Sequence, residues 1–566
     1  MLQLYLLPTD LSNEPKQLTN ETQSILGGHL SPNGNSLVYP MDKDGNEISH
    51  LFRLSTEDGD IKQITTNPYR TLGISWNPNG KEISRTIISS KGGGIETINI
   101  KSEETFMLEY SGPILYDLHY SHDARWFACT SIKSFIDTEM VVINRDDPSD
   151  IITYSIKKDT RDGIPSWSFD DKKLAFFSEA TGRGRVYIQE FQGEENIMLE
   201  LDKNEDANPY FGGAVWTPKG DKIYYIVGKY GRSTLCGHPI GGNVEEPLPF
   251  LIGTVEWPKI SKDGKKIIAL HSSMKDPYGI YLHEIGADSI KALTSRDFNL
   301  DITKFTTPKS IWYDSFDGRQ IHAWYIPATS GKTKKPAVIH AHGGPWSQIS
   351  DSWIYGLNEQ AFSQNGFAVL APNFRGSTGY GMEFQNLDIG DPGGGDLEDI
   401  VYGAKWLQKQ SEIDGSKLCI TGGSYGGYMT LIALTKKPEV FATGVSRVPV
   451  VDWLHMYKLS DLFFQLFEAA LFGGKPRKDL KQLYVDRSPI THISNIKAPV
   501  MIMAGKNDTR CPIEPIENFI EKLKEKNHPH EFYLLEKAGH ISAMFNWEES
   551  MPLLTKTINY IKENLA

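Results

Sequence analysis

Two domains of different class are predicted: an all-β array of six to seven four-stranded units over residues 1–300, then an α/β domain with a mostly parallel sheet over residues 305–566. Three observations predict this. At 566 residues the chain exceeds the size at which one core keeps growing. A turn-and-strand unit recurs through the first half, and one strand, serine turn and helix organise the second.

The recurring unit is a small polar residue, a turn and an apolar strand. Ser31-Pro-Asn-Gly34, Asn77-Pro-Asn-Gly80, Ser121-His-Asp-Ala124, Ser168-Phe-Asp-Asp171, Thr217-Pro-Lys-Gly220 and Ser261-Lys-Asp-Gly264 each precede such a run. Their spacing of 44 to 49 residues is the period of four-stranded β-propeller blades. A second strand pair follows each turn, for example residues 51–54 and 61–64. Residues 2–19 read as a second pair with no first pair ahead, giving six blades and half of a seventh. A propeller alone assigns no chemistry. Its paired acids, Glu194-Glu195 and Glu245-Glu246, fall in expected turns.

In the second half, strands around the Asp317-Gly318 turn lead into strands that alternate with helices. The organising stretch is Lys417-Leu-Cys-Ile-Thr-Gly-Gly-Ser424-Tyr-Gly-Gly-Tyr-Met429. An apolar strand, Gly-x-Ser-x-Gly and an apolar helix starting near Tyr428 make a nucleophile elbow, in which glycines allow strand and helix nearly to touch. An α/β-hydrolase is therefore predicted. The buried run Ala337-Val-Ile-His-Ala341 enters His342-Gly-Gly-Pro345. That loop and the residue after the nucleophile supply oxyanion donors, expected to be the amides of Gly344 and Tyr425. His342 is expected only to orient its loop.

The acid belongs on a loop after a later strand. Residues 499–504 form that strand and lead to Asp508, whereas Asp452 and Asp486 follow no such strand. Residues 531–535 form the next strand, followed by Ala538-Gly-His540. Chain order Ser424, Asp508, His540 completes a triad. The glycine-rich segments at 372–381 and 391–396 are expected to border the site without acting in it.

A net charge of −12 gives no basic face for nucleic acid or an anionic membrane. Four scattered cysteines suggest neither a metal site nor disulfides, and no cofactor is expected. The first residues lack the features of a signal peptide, so a cytoplasmic location is expected.

Together, His342-Gly-Gly-Pro345, Asn373-Phe-Arg-Gly-Ser-Thr-Gly-Tyr-Gly381, Gly423-Ser-Tyr-Gly-Gly-Tyr-Met429, Asn507-Asp-Thr-Arg510 and Gly539-His540 behind a propeller resemble the prolyl oligopeptidase family of serine peptidases. The likeness is nearest to its acylaminoacyl-peptidase branch. It is detailed over residues 305–566 and architectural over the propeller. The resemblance implies release of an N-acylated amino acid from the N-terminus of short peptides, with esterase side activity and a propeller that excludes folded proteins. It also implies that Arg510 binds a substrate carbonyl, that Trp453, Phe464 and Phe467 line an apolar specificity pocket, and that copies assemble into dimers or larger rings. Within the family the alternative is a dipeptidyl- or prolyl-specific peptidase. Outside it, the alternative is a propeller binding scaffold with a vestigial hydrolase.

Overall fold

The computed structural model describes residues 2–25, 27–89, 92–209, 212–245, 247–294, 301–329, 334–545 and 547–565. Glu246 and the expected domain junction at residue 300 lie outside them. Six four-stranded antiparallel sheets span residues 29–63, 70–109, 114–154, 162–199, 206–239 and 254–292. The repeat visible in the sequence is one turn made six times. Gly34, Gly80, Ala124, Asp171, Gly220 and Gly264 all adopt positive φ, between 57° and 80°, and each amide donates to the carbonyl three residues earlier. That left-handed conformation favours glycine, which four of the six positions supply.

Indoles staple neighbouring blades. Trp76 Nε1 donates to His29 O at 2.7 Å, Trp167 to His119 O at 3.3 Å and Trp216 to Ser166 O at 3.0 Å. The ring closes where Lys262 Nζ of the sixth turn donates to Pro32 O of the first, at 3.2 Å. The half blade builds no seventh. Its strands Tyr5–Leu6 and Lys16–Gln17 pair only with each other, and Leu4 and Leu18 pack on Ile25, Tyr39 and Leu54 in blade one.

The hydrolase sheet comprises β1 (Lys309–Asp314), β2 (Gln320–Ile326), β3 (Lys335–Ala341), β4 (Ala368–Asn373), β5 (Ile413–Gly423), β6 (Thr443–Arg447), β7 (Val500–Gly505) and β8 (His530–Leu535). They lie in the order β1-β2-β4-β3-β5-β6-β7-β8. The β1–β2 and β2–β4 pairings are antiparallel and the rest parallel. Parallel strands covered on both faces need continuous apolar runs. Val338, Ile339, Val369, Leu370, Ile420, Val445 and Ile502 are accordingly sealed from solvent, each worth about 1.5–3 kcal/mol of burial. Helices Gly395–Gln408, Tyr425–Lys436 and Ile513–Glu525 cover one face; Trp353–Gln364 and Trp547–Asn564 cover the other.

Blade one reaches the hydrolase through its 42–47 loop. Asn507 Nδ2 donates to Asp44 O at 3.2 Å, and Gly539 lies so close to Gly45 that a Cβ on either would strike the other's backbone. This loop therefore meets both segments that carry Asp508 and His540.

Candidate active site

Ser424 ends the central strand β5 with φ 57° and ψ −121°. This is a strained conformation for a residue with a side chain, held by its surroundings. A Cβ on Gly422 or Gly426 would collide with Ala341 O, and one on Gly426 would also stand 2.9 Å from His342 O. The helix starts at Tyr425, not near Tyr428. Gly426 and Gly427 fall inside its first turn because close packing on β3 and on Arg447 O excludes any larger residue there.

Asp508 and His540 come together. His540 Nδ1 is 2.7 Å from Asp508 Oδ2, while Asp508 Oδ1 accepts the amides of Arg510 and Cys511, both at 2.8 Å. Each carboxylate oxygen is thereby oriented, and the imidazole Nε2 is left free of that bond. His540 and Ser424 line one cavity of about 1380 Å³ between the domains. The ligating atoms of Asp508, Cys511 and His540 lie within 4.8 Å of one another. Burial raises the Cys511 thiol well above its ordinary value.

Gly344 and Tyr425 both line the cavity. Tyr425 is the first helical residue, so its amide has no intrahelical acceptor. Gly343 also lies beside the serine: its Cβ would stand 3.3 Å from Ser424 Cβ. The His342 ring stacks on Phe374 at 4.2 Å. It bonds Gly343 O at 2.7 Å and Ser377 Oγ at 2.8 Å, and burial pushes its pKa down to about 4. Both ring nitrogens are engaged by this loop region. Asp452 caps the helix Trp453–Leu459 by accepting His455 N, and Asp486 pairs with Lys436.

Arg510 faces the cavity, but its Nε donates to Glu47 of blade one. Arg70 of blade two donates to Glu47 Oε2 at 2.8 Å, to Asp461 Oδ2 at 2.8 Å and to Thr509 Oγ1 at 2.9 Å. Burial pushes the Glu47 carboxyl up, yet the charges of Arg510 and Arg70 outweigh it and hold the group below its ordinary value.

Phe464 lies under both guanidiniums, 5.3 Å from Arg70 and 5.6 Å from Arg510. Phe467 instead joins Phe135 of blade three and Trp346 in an edge-on cluster with centroids 5.5 Å from each. Trp453 is buried and packs on Tyr428 and Phe472 while closing one end of the cavity. Nothing in the sequence singles out Glu47, Arg70 or Phe135; they become visible only when the ring sets blades one to three against the hydrolase. Glu194, Glu195 and Glu245 are exposed and away from the cavity.

Tyr425 carries a further contact: its hydroxyl donates to Asp396 Oδ2 at 2.5 Å. Burial raises Asp396 to about 6. The glycine-rich segment 391–396 thus supports the residue that follows the serine.

Residues 353–566 match the model of the prolyl oligopeptidase family. The catalytic domain belongs to that family. Dipeptidyl aminopeptidase BIII of Pseudoxanthomonas mexicana is 26% identical over 95% of this chain and 80% of its own length. The human acylamino-acid-releasing enzyme is 31% identical, but over 37% of this chain and 29% of its own length. A puromycin-hydrolyzing peptidase of Mycobacterium tuberculosis superposes with a TM-score of 0.82 over 98% of this chain and 90% of its own, at 20% identity. The chain is a serine peptidase, with a six-bladed propeller ahead of a hydrolase whose residues 353–566 match the prolyl oligopeptidase family. Among the described residues no helix is long and apolar enough to cross a membrane.

Proposed function

We propose that this peptidase releases an N-acylated amino acid from the N-terminus of short peptides. Ser424 attacks the scissile carbonyl as His540 takes its proton; His540 then returns the proton to the leaving amine, and water hydrolyses the acyl-enzyme. Asp508 holds the imidazole tautomer and stabilises the imidazolium. The amides of Gly344 and Tyr425 receive the oxyanion, and Trp453 and Phe467 form the apolar end that takes the acylated residue. Arg510 offers its remaining N–H groups to a substrate carbonyl, with Phe464 beneath its guanidinium.

The charge balance of the cavity carries this reading. Glu47 is neutralised by two arginines. The other carboxyls on the wall, Asp42 and Asp117, are both raised by burial, Asp117 to about 7. Glu47 is thus already paired with arginines rather than offered to a free substrate ammonium, which supports a blocked amine. A dipeptidyl- or prolyl-specific peptidase is the second reading. It is favoured by the length of the match to the dipeptidyl aminopeptidase and by a carboxylate, Glu47, on the cavity wall.

The test compares N-acetyl-leucine, free leucine, glycyl-proline and N-blocked glycyl-proline p-nitroanilides, with Ser424→Ala as the blank. Preference of tenfold or more for N-acetyl-leucine is expected. Preference for free glycyl-proline would establish the second reading, and silence on all four would leave a binding scaffold.

A further inference from the structure

Arg447 ends β6 beside the elbow: Ser424 N donates to Arg447 O at 3.0 Å, and Gly423 pairs with Arg447 across the sheet. Its half-buried side chain lines the cavity. Among the described residues the guanidinium has no ion pair within 4.0 Å and makes no hydrogen bond, unlike Arg70 and Arg510 in the same cavity. The next carboxylate, Glu359, lies beyond ion-pair distance and spends one oxygen on His340 Nδ1 at 2.5 Å. Burial lowers the Arg447 pKa, the mark of a cation short of solvation. A half-buried cation without a partner is costly, and an arriving anion relieves that cost.

The sheet register says where this cation points. Val338, Cys419 and Val445 lie on the face covered by Trp353–Gln364 and the C-terminal helix, and strand alternation puts His340 and Arg447 on that same face. At Gly423, between their strands, the Met544 side chain comes in, its Sδ 3.1 Å from where a Cβ would stand. The cavity lining on that face includes His340, Tyr355, Asn358 and Arg447 beside the apolar Leu357, Met544 and Leu554, whereas the lining residue Trp453 belongs to the cluster on the other face. The backbone immediately beyond Arg447 is strained: Val448 is a buried β-branched residue at φ 40°, held by a 2.7 Å bond to Met503 O. Such strain persists only where the surroundings impose it.

We propose that Arg447 is a binding residue for the C-terminal α-carboxylate of the peptide leaving group. The assignment of the leaving-group side rests on the proposed function, in which the acylated residue occupies the apolar end at Trp453 and Phe467. In a dipeptide substrate this carboxylate is the next carbonyl group beyond the scissile bond, so it enters the side that the acyl portion leaves open. A fork of guanidinium donors suits a carboxylate in two-point contact.

The test measures kcat/KM for N-acetyl-Leu-Ala and its C-terminal amide, and for Gly-Pro-Ala and its amide. Wild type, Arg447→Gln and Arg447→Lys are compared. The readout is the acid-to-amide ratio within each enzyme, which a general loss of activity does not move. In wild type the ratio should be about tenfold or more and should fall with added salt, near 1 in Arg447→Gln and intermediate in Arg447→Lys. A wild-type ratio near 1 would overturn the proposal even if neither variant folds, as would a ratio unchanged in Arg447→Gln or no cleavage of any peptide. Cleavage of the Gly-Pro series alone, with the acid preferred, would retire the acylaminoacyl reading and leave Arg447 in its role.

Discussion

Arg510 Nε lies 2.8 Å from one carboxylate oxygen of Glu47 and 3.0 Å from the other, so the segment that carries Asp508 is bonded to the first propeller blade. Removing Glu47 leaves the Arg510 guanidinium over Phe464 without its carboxylate, whereas removing Arg510 leaves Glu47 to Arg70 alone. Glu47→Ala and Arg510→Ala should each lower kcat/KM by roughly tenfold or more, since truncating one member of a buried charge pair costs about 2–5 kcal/mol. In a double-mutant cycle the combined variant should lose less than the sum, by about 1 kcal/mol or more. Strictly additive losses would mean that the residues act independently.

Ser424→Ala should reduce turnover by roughly a million-fold, because nucleophile, base and acid work as a unit. Steady-state kinetics on protein purified away from host peptidases checks this, together with loss of fluorophosphonate labelling. Appreciable residual turnover would remove Ser424 from the mechanism.

Glu468 is fully buried, with Ser460 Oγ on one oxygen at 2.9 Å and no partner for the other among the described residues. Burial raises it from 4.5 to about 8. The folded protein therefore binds a proton that the unfolded chain releases, and stability falls as pH rises from about 4.5 to about 8. Glu468→Gln keeps the neutral form at every pH. Its melting temperature should drop less than that of wild type between pH 5 and pH 8, by at least roughly 2–4 °C, equivalent to about 1 kcal/mol. Parallel pH curves for the two proteins would refute the assignment.

Ala124 holds φ 63° in the third of the six repeated turns, where four of the others have glycine. A side chain in this region costs about 1–2 kcal/mol, partly offset by the entropy that glycine adds to the unfolded chain. Ala124→Gly should thus raise the denaturation midpoint of the propeller slightly, by about 0.5 kcal/mol. Denaturant titration would decide it, with a lowered midpoint counting against the account.

The architecture was legible because its signals are local. Six turns repeat one backbone conformation, and a buried strand ending in Gly-x-Ser-x-Gly needs no distant partner to be recognised. The order Ser424, Asp508, His540 follows from which loops succeed which strands. Glu47 was not legible in this way. Lys43-Asp44-Gly45-Asn46-Glu47 reads like any polar loop between blade strands, and its contact with Arg510 joins residues 463 positions apart. Phe464 was read with Phe467 and Trp453 as lining one apolar pocket; the structure adds that arginines from both domains converge on Phe464, which reaches Phe135 through Phe463, whereas Phe467 packs on Phe135 and Trp346 directly. The sequence placed the half blade correctly as a strand pair, yet it did not reveal that the six-turn ring closes without it.

The contact of Gly45 with Gly539 couples access to chemistry. Gly45 is a piece of the propeller resting on the residue just before His540, with no side chain between the two backbones. If the domains part to widen the entrance, that support leaves the histidine loop and Glu47 leaves Arg510 in the same movement.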